Sequence, residues 1–224
     1  MTCGCLSDLW DFYGEAFRFH SHQLLAWAHS DIHSHLHPEL DEPSITGLLA
    51  EAMKSRLNFH PDTPDAYLHY CIGDQEPHSP DGELGNDRLR FDVSVIRSGI
   101  RPRLSFVFEA KRLRTGGFPI GKYVGEGGMD DFISGRYASD CPEAAMIGLY
   151  QNKDIGYWHT ELCRAFADDL EATPSKLRTT TGPHAVLVLA DLGDELESVH
   201  DRPNGLPLRL FHAFLDCRGP VLPR

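Results

Sequence analysis

The chain has 224 residues, 41% of them hydrophobic, and carries a formal net charge of −12 at pH 7. A chain of this length buries about 70% of the surface that its unfolded form exposes, so we expect one domain that needs no disulfide framework. The longest apolar run, residues 185–190, is too short to cross a bilayer, and the N-terminus lacks the form of a signal peptide, so we expect a cytoplasmic protein.

The first half of the chain predicts two helices. Residues 6–29 are rich in Leu and aromatic residues and predict the first helix, which a His-rich link follows. Ile45, Leu49 and Met53 recur at helical spacing, with Pro43 near a plausible helix start. The second helix is therefore amphipathic.

Strands dominate the centre of the chain. After a loop with several Pro, Gly and Asp residues, alternation predicts a hairpin of two strands over residues 89–97 and 103–113. Residues 124–137 predict a helix that Gly125, Gly127 and Gly128 weaken. The remaining predicted elements are a strand over residues 144–150, a helix over 155–170, and strands over 185–192 and 208–217.

This mixture of elements predicts the fold class α/β, or α+β, with a central mixed β-sheet flanked by helices. The sequence shows no internal repeat, so we expect one domain over residues 1–224. Within it we expect an N-terminal helical extension over 1–41, a core over 42–150, and further elements over 151–224 that complete the sheet.

Cysteine and charge patterns add two expectations. The six cysteines are predicted to be buried free thiols, since a reducing cytosol disfavours disulfides; they are Cys3, Cys5, Cys71, Cys141, Cys163 and Cys217. Residues 88–122 hold nine Lys or Arg against two Asp or Glu, whereas residues 1–87 hold three against fifteen. The cationic segment favours contact with phosphates, although a solvated hairpin would give the same count.

The predicted hairpin brings two acidic residues together. Side chains alternate along a strand, so Glu109 and Lys111 lie on the face opposite Phe108. If the connection over residues 98–103 closes symmetrically, residues whose numbers sum to 201 face each other, which puts Asp92 opposite Glu109. By the same alternation, Phe91, Val93 and Val95 share the other face of the first strand.

Two carboxylates at cross-strand distance repel each other, by about 4 kcal/mol at 4 Å and an effective dielectric near 20. A divalent cation between Asp92 and Glu109 would remove this repulsion, and carboxylates with waters suit magnesium. Lys111, on the same face, could then position an attacking water and stabilise charge on phosphorus. The alternative is an exposed ion pair of roughly 0–1 kcal/mol, because Glu-x-Lys occurs about once by chance in a chain this long.

Asp92, followed on the next strand by Glu109-Ala110-Lys111, resembles the pattern of the PD-(D/E)XK nuclease superfamily, also called restriction-endonuclease-like. The likeness covers roughly residues 42–150, for which it implies the core order helix, three strands, helix, strand. Phe91 stands in place of the proline that names the motif, a position that is frequently replaced in the family. Residues 123–150 look similar to the corresponding part of small nucleases from bacterial defence systems.

The resemblance implies a set of functional residues. Asp92 and Glu109 would bind Mg²⁺, for which Mn²⁺ may substitute, and the Ala110 carbonyl is a further candidate ligand. Lys111 would be the catalytic lysine. Glu42 is a further candidate metal ligand, although its negative charge could equally stabilise the positive N-terminal end of the helix dipole. The cationic residues assigned to nucleic-acid binding are Arg90, Arg112, Arg114, Lys122 and Arg136.

The function expected from this resemblance is a Mg²⁺-dependent deoxyribonuclease, the effector subunit of a multi-component antiviral defence complex. A sensor or ATPase subunit would be its protein partner, and the chain could form a homo-oligomer. The alternative function is a catalytically inactive nuclease-fold adaptor that binds a protein partner. A zinc site at His29, His33, His35 and His37 is disfavoured, because no C-x-x-C pair accompanies these residues.

Overall fold

The computed structural model describes residues 6–78 and 89–220, which form one seven-stranded sheet with helices on both faces. The helices are α1 (Leu6–Ile32), α2 (Glu42–Phe59), α3 (Ile120–Val124), α4 (Met129–Ile133) and α5 (Ile155–Glu171). The strands are β1 (Tyr70–His78), β2 (Leu89–Arg97), β3 (Ser105–Leu113), β4 (Glu143–Tyr150), β5 (Thr179–Val186), β6 (Glu195–His200) and β7 (Leu208–Asp216). In these two stretches of chain, no helix is both long and apolar enough to span a membrane.

The strands lie in the order β1-β2-β3-β4-β7-β6-β5. Adjacent strands are antiparallel from β1 to β3 and from β7 to β5, while β3, β4 and β7 run parallel at the centre. Parallel strands need both faces covered, and β4 accordingly buries Ala144 through Tyr150. The predicted class, a mixed sheet flanked by helices, is confirmed at this level.

Two apolar cores cover the two faces of the sheet. On one face α1 and α2 pack on β3, where Phe106, Phe108 and Ala110 are fully buried. On the other face α3, α4 and α5 pack with Val107 and Trp158. The alternation predicted for β3 is therefore confirmed, since Val107 lies in a different core from its neighbours.

The start of α2 follows from local sequence. Asp41 is the N-cap, and its Oδ1 accepts the backbone N–H of Ser44 at 2.9 Å. Pro43 lies in the first turn, where its missing N–H costs no helical hydrogen bond. The predicted apolar stripe is buried, with Ile45 and Leu49 at 1% and 0% exposure. This cap fixes where Glu42, the first residue of the helix, enters the fold.

The residue pattern does not locate two of the strands. The sequence of β1 indicates a loop, because it contains Gly73, Asp74 and Pro77, although the family resemblance implies a third strand; β1 lies at the edge of the sheet beside β2. β6 is missing from the prediction because buried polar residues interrupt its apolar pattern. Glu195 is fully buried beside His22, at 2.5 Å, and Glu197 accepts from Arg209 at 2.7 Å.

Two predicted elements are wrong in extent. The apolar run was expected to form a strand over residues 185–192, but β5 ends at Val186, Leu187 is 76% exposed, and Ala190–Leu192 is one turn of 3₁₀ helix. The helix expected over 124–137 is much shorter: only α4 lies within this range, and α3 ends at Val124, where the helix was expected to begin. Gly128 separates them, and an added Cβ there would lie 2.3 Å from the Tyr123 carbonyl oxygen.

Two predictions of burial also need correction. Phe91 does not share the core of Val93 and Val95 but packs in the opposite one, where its ring lies 5.3 Å from that of Tyr137. The predicted buried thiols are confirmed at Cys141 and Cys217. Cys71 on β1 and Cys163 on α5 are exposed instead. Cys3 and Cys5 lie outside the described residues.

A chain of buried hydrogen bonds crosses β6 and β7. His200 Nδ1 donates to the Leu177 carbonyl at 2.6 Å, so its Nε2 accepts from the Ser198 hydroxyl at 2.7 Å. Ser198 then accepts from His212 Nε2 at 2.8 Å, and His212 Nδ1 accepts from the Tyr123 hydroxyl at 3.0 Å. A carbonyl only accepts, so His200 Nδ1 carries a proton. Burial lowers the pKa of both imidazoles, and with both rings neutral the donations run in this direction.

These histidines make the fold sensitive to acid. Burial lowers the pKa of His200 from 6.5 to about 4 and the pKa of His212 well below its ordinary value. The unfolded chain therefore binds more protons, and stability is lost as pH falls from about 6.5 toward about 4. Between pH 7.5 and 5, we expect His200 alone to cost about 2 kcal/mol of unfolding free energy.

Urea unfolding measures this cost. The free energy of unfolding is determined at pH 7.5 and 5, and its change between the two pH values is compared between the parent and His200→Gln. His37→Gln, at an exposed position, is the control and keeps the parent's pH dependence. Equal pH dependence in the parent and His200→Gln would contradict the neutral, buried state of His200.

Candidate active site

The predicted register of the β2–β3 hairpin is confirmed. The paired residues run from Val93↔Phe108 to Ile96↔Ser105, and the numbers of each pair sum to 201. Asp92 and Glu109 are the next residues along the two strands, beyond the last recorded pair. Because β2 and β3 are antiparallel, the start of β2 and the end of β3 lie at the same end of the sheet, where the candidate site forms.

The carboxylate of Asp92 is buried and held by two neutral donors. Its Oδ2 accepts the backbone N–H of Ala110 on β3 at 2.8 Å. Its Oδ1 accepts the Gln75 side-chain amide on β1 at 2.9 Å. Asp92 is 8% exposed, and its orientation is set by donors on β1 and β3. Among the described residues, no side-chain cation forms an ion pair with it.

Lys111 links two carboxylates at the same end of the sheet. Its Nζ lies 2.8 Å from Glu109 Oε1 and 2.9 Å from Glu42 Oε1. Glu109 is 4% exposed, and its second oxygen, Oε2, is buried without a hydrogen-bond partner among the described residues. A buried carboxylate oxygen without a partner is costly, so it marks a position that a cation would satisfy.

Glu42 reaches this cluster from the first turn of α2. Its Oε2 accepts the backbone N–H of Arg112 at 3.0 Å, so both of its oxygens contact the end of β3. Gln151 braces the arrangement, donating to the Leu40 carbonyl at 2.6 Å and accepting from Arg112 Nε at 3.0 Å. Another acid on this helix, Glu51, points away from the site: it is 70% exposed and pairs with Lys54 on the same helix.

Burial and mutual repulsion shift the pKa values of the cluster. Burial, followed by the nearby charge of Asp92, raises the pKa of Glu109 from 4.5 to about 8, although Lys111 opposes the shift. Burial likewise raises the pKa of Asp92, while the Ala110 N–H opposes it. Burial lowers the pKa of Lys111, but Glu109 and Glu42 outweigh it and raise that pKa overall. The cluster thus carries buried negative charge that one ammonium only partly offsets.

The residues present fit a hard divalent cation. Within the described part of the chain, no group of three or more His, Cys, Asp or Glu is arranged as a metal site. Magnesium, however, needs only one or two carboxylates and retains waters at its other positions. Asp92 and Glu109 would supply those carboxylates. Glu109 Oε2, which has no hydrogen-bond partner among the described residues, is the observation that fits a cation.

The residues predicted to bind nucleic acid lie on elements that meet at this end of the sheet. Arg90 on β2 and Lys122 on α3 are exposed. Arg136 pairs with Asp131 at 2.9 Å and is 48% exposed. The other two, Arg112 and Arg114, contact the ring of Phe118 and the carboxylate of Glu39, at 4.1 and 3.2 Å.

The loop after α4 depends on a residue that the sequence did not reveal. Arg202 is 4% exposed and donates to the carbonyls of Phe132, Ala138 and Cys141 at 2.9 to 3.0 Å. This loop carries Tyr137, which is buried and whose pKa is raised by burial and by the Glu109 carboxylate. Arg202 lies about 70 residues further along the chain, so no local pattern connects it to the loop it holds.

Two of the four histidines considered for zinc make other contacts in the structure. His29 Nε2 bonds the Asp216 carbonyl at 2.9 Å, and the rings of His29 and His33 lie 5.8 Å apart. In the described ranges neither belongs to a group of three or more His, Cys, Asp or Glu arranged to hold a metal.

Comparison with known proteins identifies no relative. No protein-family model matches the chain, and neither curated proteins nor solved structures give a match. The chemistry of the site is therefore argued from its own residues.

The raised pKa of Glu109 predicts a pH-dependent stability of the metal-free protein. The folded state holds a proton on Glu109 up to about pH 8, whereas the unfolded state releases it near 4.5. Stability is therefore present at low pH and lost as pH rises through about 8. We expect the parent to lose about 3 kcal/mol more than Glu109→Gln between pH 5 and 8.

Chemical unfolding in the presence of a chelator measures this difference. Glu51→Gln, an exposed acid on α2, serves as the control and follows the parent. If Glu109→Gln shows the same pH dependence as the parent, Glu109 ionises normally and the cluster is not under electrostatic strain.

Proposed function

We propose that this chain is a metal-dependent nuclease of PD-(D/E)XK type that hydrolyses phosphodiester bonds in DNA. The observation that carries the proposal is the meeting of Asp92, Glu109 and Lys111 from two adjacent strands, with Oε2 of Glu109 buried and without a hydrogen-bond partner in the part of the chain that the structure describes. The order α2, β1, β2, β3, α3 with α4, then β4 supports it, because it is the order that the sequence resemblance implies.

Asp92 and Glu109 would hold the cation, with the Ala110 carbonyl and Glu42 as further candidate ligands. When bound, Mg²⁺ would supply Lewis-acid chemistry, lowering the pKa of a bound water and neutralising charge on the phosphate. Glu109 must release its proton before it can act as a ligand, and at pH above about 8 it is already ionised.

Lys111 supplies the fixed positive charge of the site. Its raised pKa keeps it protonated, so it acts as a hydrogen-bond donor to developing negative charge rather than as a general base. The contact with Glu42 at 2.9 Å holds the ammonium in place when Glu109 turns to another partner. The exposed cations Arg90 and Lys122 provide charge for the substrate backbone at the same end of the sheet.

The role as effector subunit of an antiviral defence complex, with a sensor or ATPase subunit as partner, stays a prediction from the resemblance. One surface supports a protein partner of some kind. Phe12 and Phe19 lie seven residues apart on α1, on one helical face, and are 79% and 42% exposed. Leu187, 76% exposed, lines the same cleft as Phe19. Such a surface would serve the partner of an active nuclease, and it is also what the second candidate function, an inactive nuclease-fold adaptor, requires.

Cleavage of plasmid DNA with Mg²⁺ tests the nuclease. We expect Glu109→Gln and Lys111→Ala to lower the rate at least 100-fold, since each removes charge that acts on the reacting phosphate. Glu51→Gln, an exposed acid on α2, serves as the matched control and keeps the parent rate.

Cleavage at the parent rate by both site variants would show that the assigned chemistry is wrong. The adaptor function predicts a different result, in which the parent cleaves no DNA even with its partner present and Mn²⁺ does not raise its melting temperature.

A further inference from the structure

Gln75 lies on β1 at an irregularity beside Asp92. The β1–β2 register runs from Tyr70↔Arg97 to His78↔Leu89 and omits the position where Gln75 would face Asp92. The backbone of Gln75 is left-handed, with φ of +50°. Residues other than glycine, asparagine and aspartate rarely adopt this conformation, and such strain is concentrated at functional positions.

The strained backbone aims the Gln75 amide at the candidate site. Its Nε2 donates to Asp92 Oδ1 at 2.9 Å, while the Ala110 N–H donates to Oδ2 at 2.8 Å. The Asp92 carboxylate is thus fixed through both oxygens, and each oxygen keeps a second lone pair for another partner.

The side chain of Gln75 is uncharged, and this matters for Asp92 as much as its position does. A lysine or arginine at this place would cancel the charge of Asp92 and compete with a bound cation. An amide orients the carboxylate and leaves its charge intact, as the outer hydrogen-bond partners of metal ligands do. Lys111, the cation nearby, contacts Glu109 and Glu42 and not Asp92 by hydrogen bond.

We propose that Gln75 is a positioning residue of the metal centre, whose amide holds Asp92 in the orientation that binds the cation. The inference rests on the proposed function, because it assigns Gln75 a task only if Asp92 is a metal ligand. It explains why a glutamine, and not the glycine that the backbone would favour, occupies this conformation.

Two substitutions at position 75 separate the effect of the side-chain hydrogen bond from the effect of the backbone conformation. Gln75→Gly adopts φ of +50° without strain but has no amide to donate, so the relief of backbone strain is offset by the loss of a donor to the buried Asp92. Gln75→Met keeps the length of the side chain and removes the donor. Loss of a hydrogen-bond partner of a metal ligand typically lowers metal affinity about 10 to 100-fold. We therefore expect the Mn²⁺ concentration at the midpoint of the titration to rise at least about tenfold in both variants.

The measurement is the melting temperature of the full chain during Mn²⁺ titration at pH 8, which requires no substrate. Gln23→Met, at a buried glutamine on α1 whose amide nitrogen has no partner among the described residues, is the matched control. We expect this control to keep the Mn²⁺ midpoint of the parent.

The outcomes distinguish this inference from the function on which it rests. If the parent responds to Mn²⁺ and Gln75→Gly shows the same midpoint, the positioning role is overturned while the metal centre stands. If the parent itself shows no response, the metal centre is contradicted and the role of Gln75 falls with it. A raised midpoint in both Gln75 variants, with an unchanged control, supports the proposal.

Discussion

The site depends on the electrostatics of two buried carboxylates on neighbouring strands. Asp92 and Glu109 follow directly after the last paired residues of the β2–β3 ladder, and burial, followed by the nearby charge of Asp92, raises the pKa of Glu109 to about 8. With both carboxylates ionised, repulsion of about 4 kcal/mol for unit charges at 4 Å would oppose this arrangement in a protein of ordinary stability. The fold tolerates it because Glu109 holds a proton below about pH 8 and because Lys111 and the Ala110 N–H offset part of the charge.

The surrounding architecture holds these groups in place from several directions. The N-cap of α2 sets the position of Glu42, and Gln151 at the end of β4 ties the segment before α2 to Arg112. On the other side, Arg202 fixes the loop that carries the buried Tyr137. Elements distant in sequence thus converge on one end of the sheet, while the apolar cores on the two faces give that end a rigid support.

The hairpin and its register could be predicted from the sequence, because strand alternation and a symmetric connection fix which side chains share a face. Asp92, Glu109 and Lys111 followed from that geometry. Gln75 could not be predicted, since its role comes from a left-handed backbone on a strand with few apolar residues. β6 was missed for a related reason: its buried acids are satisfied by distant residues such as His22, and local patterns treat acids as surface.

Crystals soaked in Mn²⁺, with data collected for the anomalous signal of manganese, would show whether Asp92 and Glu109 share a cation. We expect an anomalous peak within coordination distance of both carboxylates, about 2.0 to 2.1 Å as for Mg²⁺. Glu109 Oε2 would then have a partner. Ordered crystals that show no peak there, with Lys111 still the only cation contacting Glu109, would contradict the proposed metal centre.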